Sequence, residues 1–374
     1  MQEKSAMMQQ IESIPALMKE IDEGLKKTAY RFTNRLGGRT YTKIILTGCG
    51  DSYCAALAAK FAFLQFTGMD AEAATVIELA RVYERRHLVG NGHHMVVIVS
   101  NSGTVSRVIE LAKRIRSMGG FVVAVTGNET SGLSQYADAV IKLEIPPFVY
   151  APGVRSYCGC LCALYQMAIS LGEYDGTLGS EKAGKIRAEI TKLPDRMTSY
   201  LADWEIQADT YARKIKNASG YELVGSGSQY ASACFGSAKS LETTGKPSIA
   251  QNTEDWFHMN FFIRDVYHMA VILIVNEAEG SVSRAEELIG VAEEMGRPLL
   301  CITDSEVLKA KEKLLTPGTQ YEVLHALVQY LPAAMVFSNI GDMMGEVYFR
   351  AGKDHWAACA GGATIVNSKE IVLE

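Results

Sequence analysis

No stretch of this 374-residue sequence holds the eighteen or more consecutive apolar residues that an α-helical bilayer span needs. The N-terminal MQEKSAMMQQIESIPALMKEIDEGLKK carries acids and has no signal-type apolar stretch, so a cytoplasmic protein is expected. No Gly-Lys-Ser/Thr P-loop occurs. Neither Gly-x-Gly pair, Gly48-Cys49-Gly50 or Gly225-Ser226-Gly227, is completed to G-x-G-x-x-G, which weakens a nucleotide-binding reading. The eight cysteines never take the Cys-x-x-Cys spacing of zinc sites. Cys158, Cys160 and Cys162 lie in CGCLCALYQMAIS, an apolar helical pattern with no histidine close by, and read as buried thiols. Low-complexity tracts, helix-turn-helix patterns and basic DNA-reading segments are all missing. A formal charge of -5 and a pI near 5.9 argue against general affinity for nucleic acid or anionic membranes, and leave a local anion site open.

What is present is a soluble-type composition, 48% apolar and 21% charged, long enough for two cores. It is also a repeat. Pairing each residue with the one 177 positions later keeps register for about eighty positions. Gly48 and Gly50 fall on Gly225 and Gly227, Gly103 on Gly280, and Val105-Ser106-Arg107 on Val282-Ser283-Arg284. Within the first copy KIILTG, HMVVIVS, FVVAVTG and ADAVIKLEIP read as strands, with helical patterns between them. YELVGSG, MAVILIVN and PLLCITD take the first three strand positions of the second. Continuous apolar strands alternating with helices predict α/β architecture: two tandem doubly wound parallel sheets related by the internal repeat. The predicted organisation is an N-terminal helical segment 1–35, a first domain 36–172, a helical connection 173–218, a second domain 219–350, and a C-terminal tail 351–374. The tail, with Gly361-Gly362, reads as an ordered loop.

The two copies differ where a parallel sheet places ligands, beyond the carboxyl ends of its strands. VSNSGTVSR presents Ser100, Asn101, Ser102 and Thr104 at a strand-to-helix turn, where hydroxyls and helix N-terminal N–H groups suit a phosphate. Ser52, at the neighbouring turn, can join them. A capped turn without a ligand would use the same residue types. The twin NEAEGSVSR carries Glu277 and Glu279 instead, and like charge disfavours a dianion there.

The strings TGCGDSY, IVSNSGTVSRVIELAKR and TGNETSGLSQYADAVIKL resemble the two-domain sugar-isomerase (SIS) family. The pattern is that of the isomerase half of glutamine–fructose-6-phosphate aminotransferase and of standalone phosphosugar isomerases and fructosamine-6-phosphate deglycases. The resemblance implies flavodoxin-like SIS domains, with Ser52, Ser100, Asn101 and Ser102 on the sugar 6-phosphate and Ser156 near C2. AKSLETTGK matches a Lys-x-x-Glu helix, which implies Lys239 and Glu242 as catalytic residues, and TEDWFHMNFF implies His258 as the ring-opening group. NSKEIVLE implies Lys369 at the sugar carbonyl. It implies no metal or nucleotide cofactor, and a homodimer in which the His258 segment reaches the neighbouring subunit. A carboxylate suits C1–C2 proton transfer, a histidine titrates near neutrality, and a lysine amine can meet a carbonyl. Equally, Lys239 and Glu242 fit a surface ion pair, His258 a core histidine, and Lys369 a solvated charge.

Several positions depart from the family pattern. The N-terminal cysteine nucleophile of a glutaminase is missing, so ammonia from glutamine is not expected. Asp51 and Val105 stand where the family has threonines, and Ser156-Tyr157-Cys158 stands for Ser-Thr-Lys. These changes favour an isomerase-type enzyme on an amine-bearing sugar 6-phosphate, a fructosamine-type deglycase ahead of an aminosugar-phosphate deaminase or isomerase. A non-catalytic sugar-phosphate sensor is the alternative from another class.

Overall fold

The computed structural model describes residues 4–357 and 363–373, which form two bodies. The first comprises Ala16–Pro147, Arg155–Thr191 and residues from Gly352 onward. Its five strands are β1 Lys43–Gly48, β2 Asp70–Ala73, β3 His94–Val99, β4 Phe121–Thr126 and β5 Ala139–Lys142. They lie in the order β2-β1-β3-β4-β5, and every neighbouring pair is parallel. β1, β3 and β4 are buried from their second residue onward, which is why they read as near-continuous apolar runs.

The second body holds residues up to Pro15, Phe148–Val154 and Lys192–Ala351. Its strands are β6 Gly220–Val224, β7 Ser248–Gln251, β8 Met269–Ile274, β9 Leu299–Thr303 and β10 Lys313–Leu315. The order β10-β9-β8-β6-β7, again all parallel, is the first sheet's order read from the opposite edge. The two doubly wound parallel sheets expected from the sequence are therefore present, each flanked by helices.

The repeat extends to backbone angles. Gly50 has φ 55 and ψ −125, and Gly227 has φ 55 and ψ −130, a conformation that a side chain disfavours. One turn earlier, a Cβ on Gly48 would lie 2.9 Å from the Val99 carbonyl oxygen, and one on Gly225 would lie 2.6 Å from that of Gln229. In each Gly-x-Gly the first glycine thus permits close approach and the second the turn. Helices Val76–Arg81 and Thr253–His258 also stand 177 positions apart.

Chain ends and connection depart from the predicted boundaries. The described part of segment 1–35 holds two helices, Ala6–Glu12 and Ile14–Arg35, and the first belongs to the second body. Met7, Met8 and Ile11 are buried, and Ser5 Oγ lies 3.0 Å from Ser338 Oγ of helix Tyr330–Met344. The connection predicted over 173–218 is largely one helix, Ser180–Ile215, with Pro194 inside it. Glu322–Met344 is long and apolar enough by composition to span a bilayer, yet 94% of its most apolar window is buried in the second body. Cys158, Cys160 and Cys162 are buried in helix Val154–Asp175, and all seven described cysteines are free thiols. Burial pushes the Cys160 thiol up to about 12, so it stays protonated. Among the described residues of the tail, a short helix, Ala363–Val366, precedes an extended run to Leu373; Gly361-Gly362 lies outside the described residues.

Candidate active site

In a sheet of order 2-1-3-4-5 the direction of winding reverses between the first and third strands, and the loops leaving those two strands border a crevice. In the first body these are Cys49–Gly50, leading into helix Asp51–Phe66, and Ser100–Val105, leading into helix Ser106–Ser117. Ser52 stands in the first turn of the former helix. β1 and β3 are adjacent, with Gly48 opposite Val99, so Ser52 and the Ser100–Thr104 turn are brought to neighbouring strand ends.

The Ser100 turn is held from inside. Ser100 is 5% exposed, and its Oγ accepts the Gly103 N–H at 3.2 Å. The Asn101 carbonyl accepts from Thr126 Oγ1 and from the Gly127 N–H. Ser102 Oγ accepts the Thr104 N–H at 3.3 Å and the Thr104 hydroxyl at 2.9 Å, leaving Asn101 and Ser102 exposed to solvent. By helix geometry the N–H groups of Ser106 and Arg107 have no intrahelical acceptor. Hydroxyls, an amide and helix N-terminal donors thus lie together in one turn, an arrangement suited to a phosphate. Val105 turns the other way: it packs against the apolar cluster around Val108 and Leu111.

Gly103 fixes this geometry. Its φ is +65, and a Cβ there would come 2.1 Å from Ser131 Oγ. Its twin Gly280 has no positive φ, and a Cβ would meet nothing within 4 Å. Gly103→Ala is therefore expected to destabilise the protein by about 1–2 kcal/mol from the left-handed backbone alone, with the Ser131 clash adding to it. Gly280→Ala is expected to stay within about 0.5 kcal/mol of wild type. Thermal unfolding of the two variants side by side checks the contrast.

The twin turn has filled itself. Glu279 is 7% exposed and its carboxylate accepts from the Asn276 N–H at 3.3 Å, from Asn276 Nδ2 at 3.1 Å and from the Ser281 hydroxyl. The Glu277 N–H is taken by Asp304 Oδ1 at 2.9 Å. Burial pushes the Glu279 carboxyl up to about 7 against the pull of these donors. Asp304, hydrogen-bonded to the buried His325 at 2.9 Å, is held below the usual range because that bond and the His325 charge outweigh its own burial.

Of the other predicted residues, Ser156 lies in the first turn of helix Val154–Asp175 in the first body, half-buried. Tyr157 and Cys158 beside it are in the core, so the position of the family lysine is taken by packing. Lys369 is exposed on the tail of the same body, and its carbonyl accepts from Arg81 Nη2 at 3.1 Å. The second body carries Lys239 and Glu242 on helix Ser228–Thr244. They are not a surface pair: Lys239 is fully buried, its Nζ 2.5 Å from Glu242 Oε2, while the Glu242 side chain is 27% exposed. Arg350 donates to the carbonyls of Leu241 and Glu242 and caps that helix. His258 is not in the core. Its side chain is 66% exposed and its Nε2 meets Glu254 Oε1 at 3.1 Å, not the Lys239–Glu242 pair. A buried ion pair, Glu222 with Arg297 at 2.7 Å, holds the His258 segment through Trp256 Nε1 and the Asn260 carbonyl. A cavity of about 500 Å³ in the first body, lined by Ile21, Leu25, Lys142 and Pro146, includes none of these residues.

Sequence reading missed the ring of charges around Glu110. This carboxylate is fully buried and bound by Arg81, Arg107 and the Ile371 N–H. The only signal was the repeated Val-Ser-Arg, with a glutamate three residues after each arginine.

Residues 40–170 match the family model described as SIS domain. The glutamine–fructose-6-phosphate aminotransferase of Caldanaerobacter subterraneus subsp. tengcongensis is 28% identical over 200 residues, covering 54% of this chain and 32% of that protein. The chain thus spans about a third of the length of that relative. The C-terminal domain of glucosamine-fructose-6-phosphate aminotransferase from Francisella tularensis superposes with a TM-score of 0.82 at 14% identity, covering 93% of this chain and 98% of that one. Tagatose-6-phosphate ketose/aldose isomerase from Escherichia coli does so with a TM-score of 0.73 at 15% identity, covering 92% and 95%. The fold is theirs, and residues 40–170 carry a SIS domain in a chain similar in sequence to glutamine–fructose-6-phosphate aminotransferase.

Proposed function

We propose that this protein is an isomerase-type enzyme acting on an amine-bearing sugar 6-phosphate, in particular a deglycase of fructosamine-type 6-phosphates. The observation that carries the reading is the contrast between the two switch-point turns. One offers hydroxyls and helix-terminal N–H groups without an intrahelical acceptor to an anion, and the other has satisfied its own donors with Glu279. Ser52, Ser100, Asn101, Ser102 and Thr104 bind the phosphate, and Ser156 contacts the sugar. His258 opens the ring. Glu242 takes a proton from C1 of the ketoamine to give an enaminol and returns it to C2, leaving an aldimine at C1; water adds there and the C–N bond breaks, releasing amine and aldose 6-phosphate. Lys239 holds the Glu242 carboxylate in place, and Lys369 supplies a cation or amine to the C2 oxygen.

The exposure of His258 supports a homodimer in which it serves the neighbouring subunit's site, and the enzyme proposed is a cytoplasmic one. A core filled by Tyr157 and Cys158, where the family has Thr-Lys, favours the deglycase over a deaminase or simple isomerase. The test is a thermal-shift panel of hexose, hexosamine and ketosamine 6-phosphates, followed by an amine-release assay. Ketosamine 6-phosphates are expected to stabilise the protein and release amine, and their unphosphorylated forms to do neither. Stabilisation by none of the phosphosugars would end this reading.

A further inference from the structure

We propose that Glu110, together with Arg81 and Arg107, is a positioning clamp that fixes the C-terminal strap, and with it Lys369, onto the helix that starts at the phosphate turn. The role given to Lys369 rests on the function proposed above, while the docking of the strap does not.

The strap, Val366–Leu373, runs along helix Ser106–Ser117 and is gripped by its main chain. Ser106 Oγ donates to the Val366 carbonyl and accepts the Ser368 N–H at 3.1 Å. Arg107 Nη2 donates to Ser368 Oγ at 2.9 Å, and Arg81 Nη2 to the Lys369 carbonyl at 3.1 Å. Glu110 Oε2 accepts the Ile371 N–H at 2.7 Å, Arg114 Nε donates to the Leu373 carbonyl at 3.3 Å, and Lys113 pairs with Glu370 at 2.5 Å. Apolar burial contributes little, because Ile365, Val366, Ile371 and Val372 are between 39% and 54% exposed. Adhesion of the strap is therefore chiefly polar, and Glu110 is its centre: a fully buried carboxylate that orients both arginines and receives a strap amide.

The repeat supports the assignment. Arg284 and Glu287 keep the same i, i+3 pair in the second body, but Glu287 is 58% exposed, and Arg284 reaches Glu254, the residue that holds His258. Burial of the glutamate belongs to the copy that the strap covers. Ser106 and Arg107 immediately follow the phosphate turn, so the strap is referenced to the bound phosphosugar rather than to a distant surface.

Hydrogen exchange of the strap peptide without any sugar, in Glu110→Ala and in Ile371→Pro, isolates the clamp. The second variant removes the strap's own N–H and leaves Glu110, Arg81 and Arg107 in place. Loss of this charge-assisted bond is expected to speed strap exchange by about tenfold in both. It is also expected to lower kcat by about tenfold with a smaller change in KM, with Glu110→Gln, which keeps an acceptor, falling between. Unchanged strap exchange in Glu110→Ala and Ile371→Pro overturns the clamp. If the strap loosens while turnover holds, the positioning role falls provided Lys369→Ala is inactive; if Lys369→Ala is itself fully active, the assignment of Lys369 is what falls.

Discussion

Replacing Glu242 with glutamine is expected to lower kcat by about a hundred- to ten-thousand-fold, the span for a lost general base, while phosphosugar affinity stays within a few-fold. The separation follows from the architecture. Glu242 belongs to the second sheet's body, whereas the hydroxyl turn proposed to hold the phosphate belongs to the first. Glutamine keeps the oxygen that accepts from Lys239 and loses the charge that offsets a fully buried ammonium. A stability loss of about 1–3 kcal/mol accompanies that change, so activity is compared well below the variant's unfolding temperature. A sugar-phosphate sensor would have no use for the carboxylate. Retained binding without turnover supports the enzyme, and unchanged turnover would remove Glu242 from the mechanism.

The sequence disclosed those features of the fold that follow from local chemistry. Gly48 and Gly50 are legible because close approach and an unusual backbone conformation each demand glycine, and the same demands recur at Gly225 and Gly227. β1, β3 and β4 are legible because burial on both faces writes an apolar run. β2, β7 and β10 were missed for the converse reason. They are short strands, all three at sheet edges, and DAEA or SIAQ has no periodicity to betray it. In the site, the hydroxyls of the Ser100 turn could be read, since residue type and position coincide. The burial of Lys239 and Glu110 could not. An i, i+3 ion pair looks the same in sequence whether solvent or a strap from more than 250 residues away covers it, as it does at Glu110 and Ile371. Val105 lies inside the motif, at a position where the family has a threonine. Its side chain follows the helix face that packs on Val108 and Leu111.

The second large effect is expected from Ser102→Glu, which gives the first turn the residue that its twin already has at Glu279. Phosphosugar Kd is expected to rise by about a hundredfold or more, equivalent to about 2.7 kcal/mol. A carboxylate about 4 Å from a phosphate charge costs on the order of 4 kcal/mol per unit-charge pair near a protein surface, enough to supply that loss even after partial screening. The twin shows a second route to the same result: Glu279 gathers a backbone N–H and a hydroxyl of its own loop, and a glutamate at 102 can compete in that way for the donors a phosphate would use. Protection by a ketosamine 6-phosphate that survives Ser102→Glu would place the phosphate elsewhere. The reverse exchange, Glu279→Ser, is not expected to create a site. Gly280 lacks the positive φ that shapes the Ser100 turn, and Asp304, which stands at the repeat position of Gly127, still occupies the Glu277 N–H. The proposed anion binding at this switch point therefore requires the backbone set by Gly103 and a vacant position at Gly127 as well as the hydroxyls, and one substitution is expected to be enough to lose it but not to gain it.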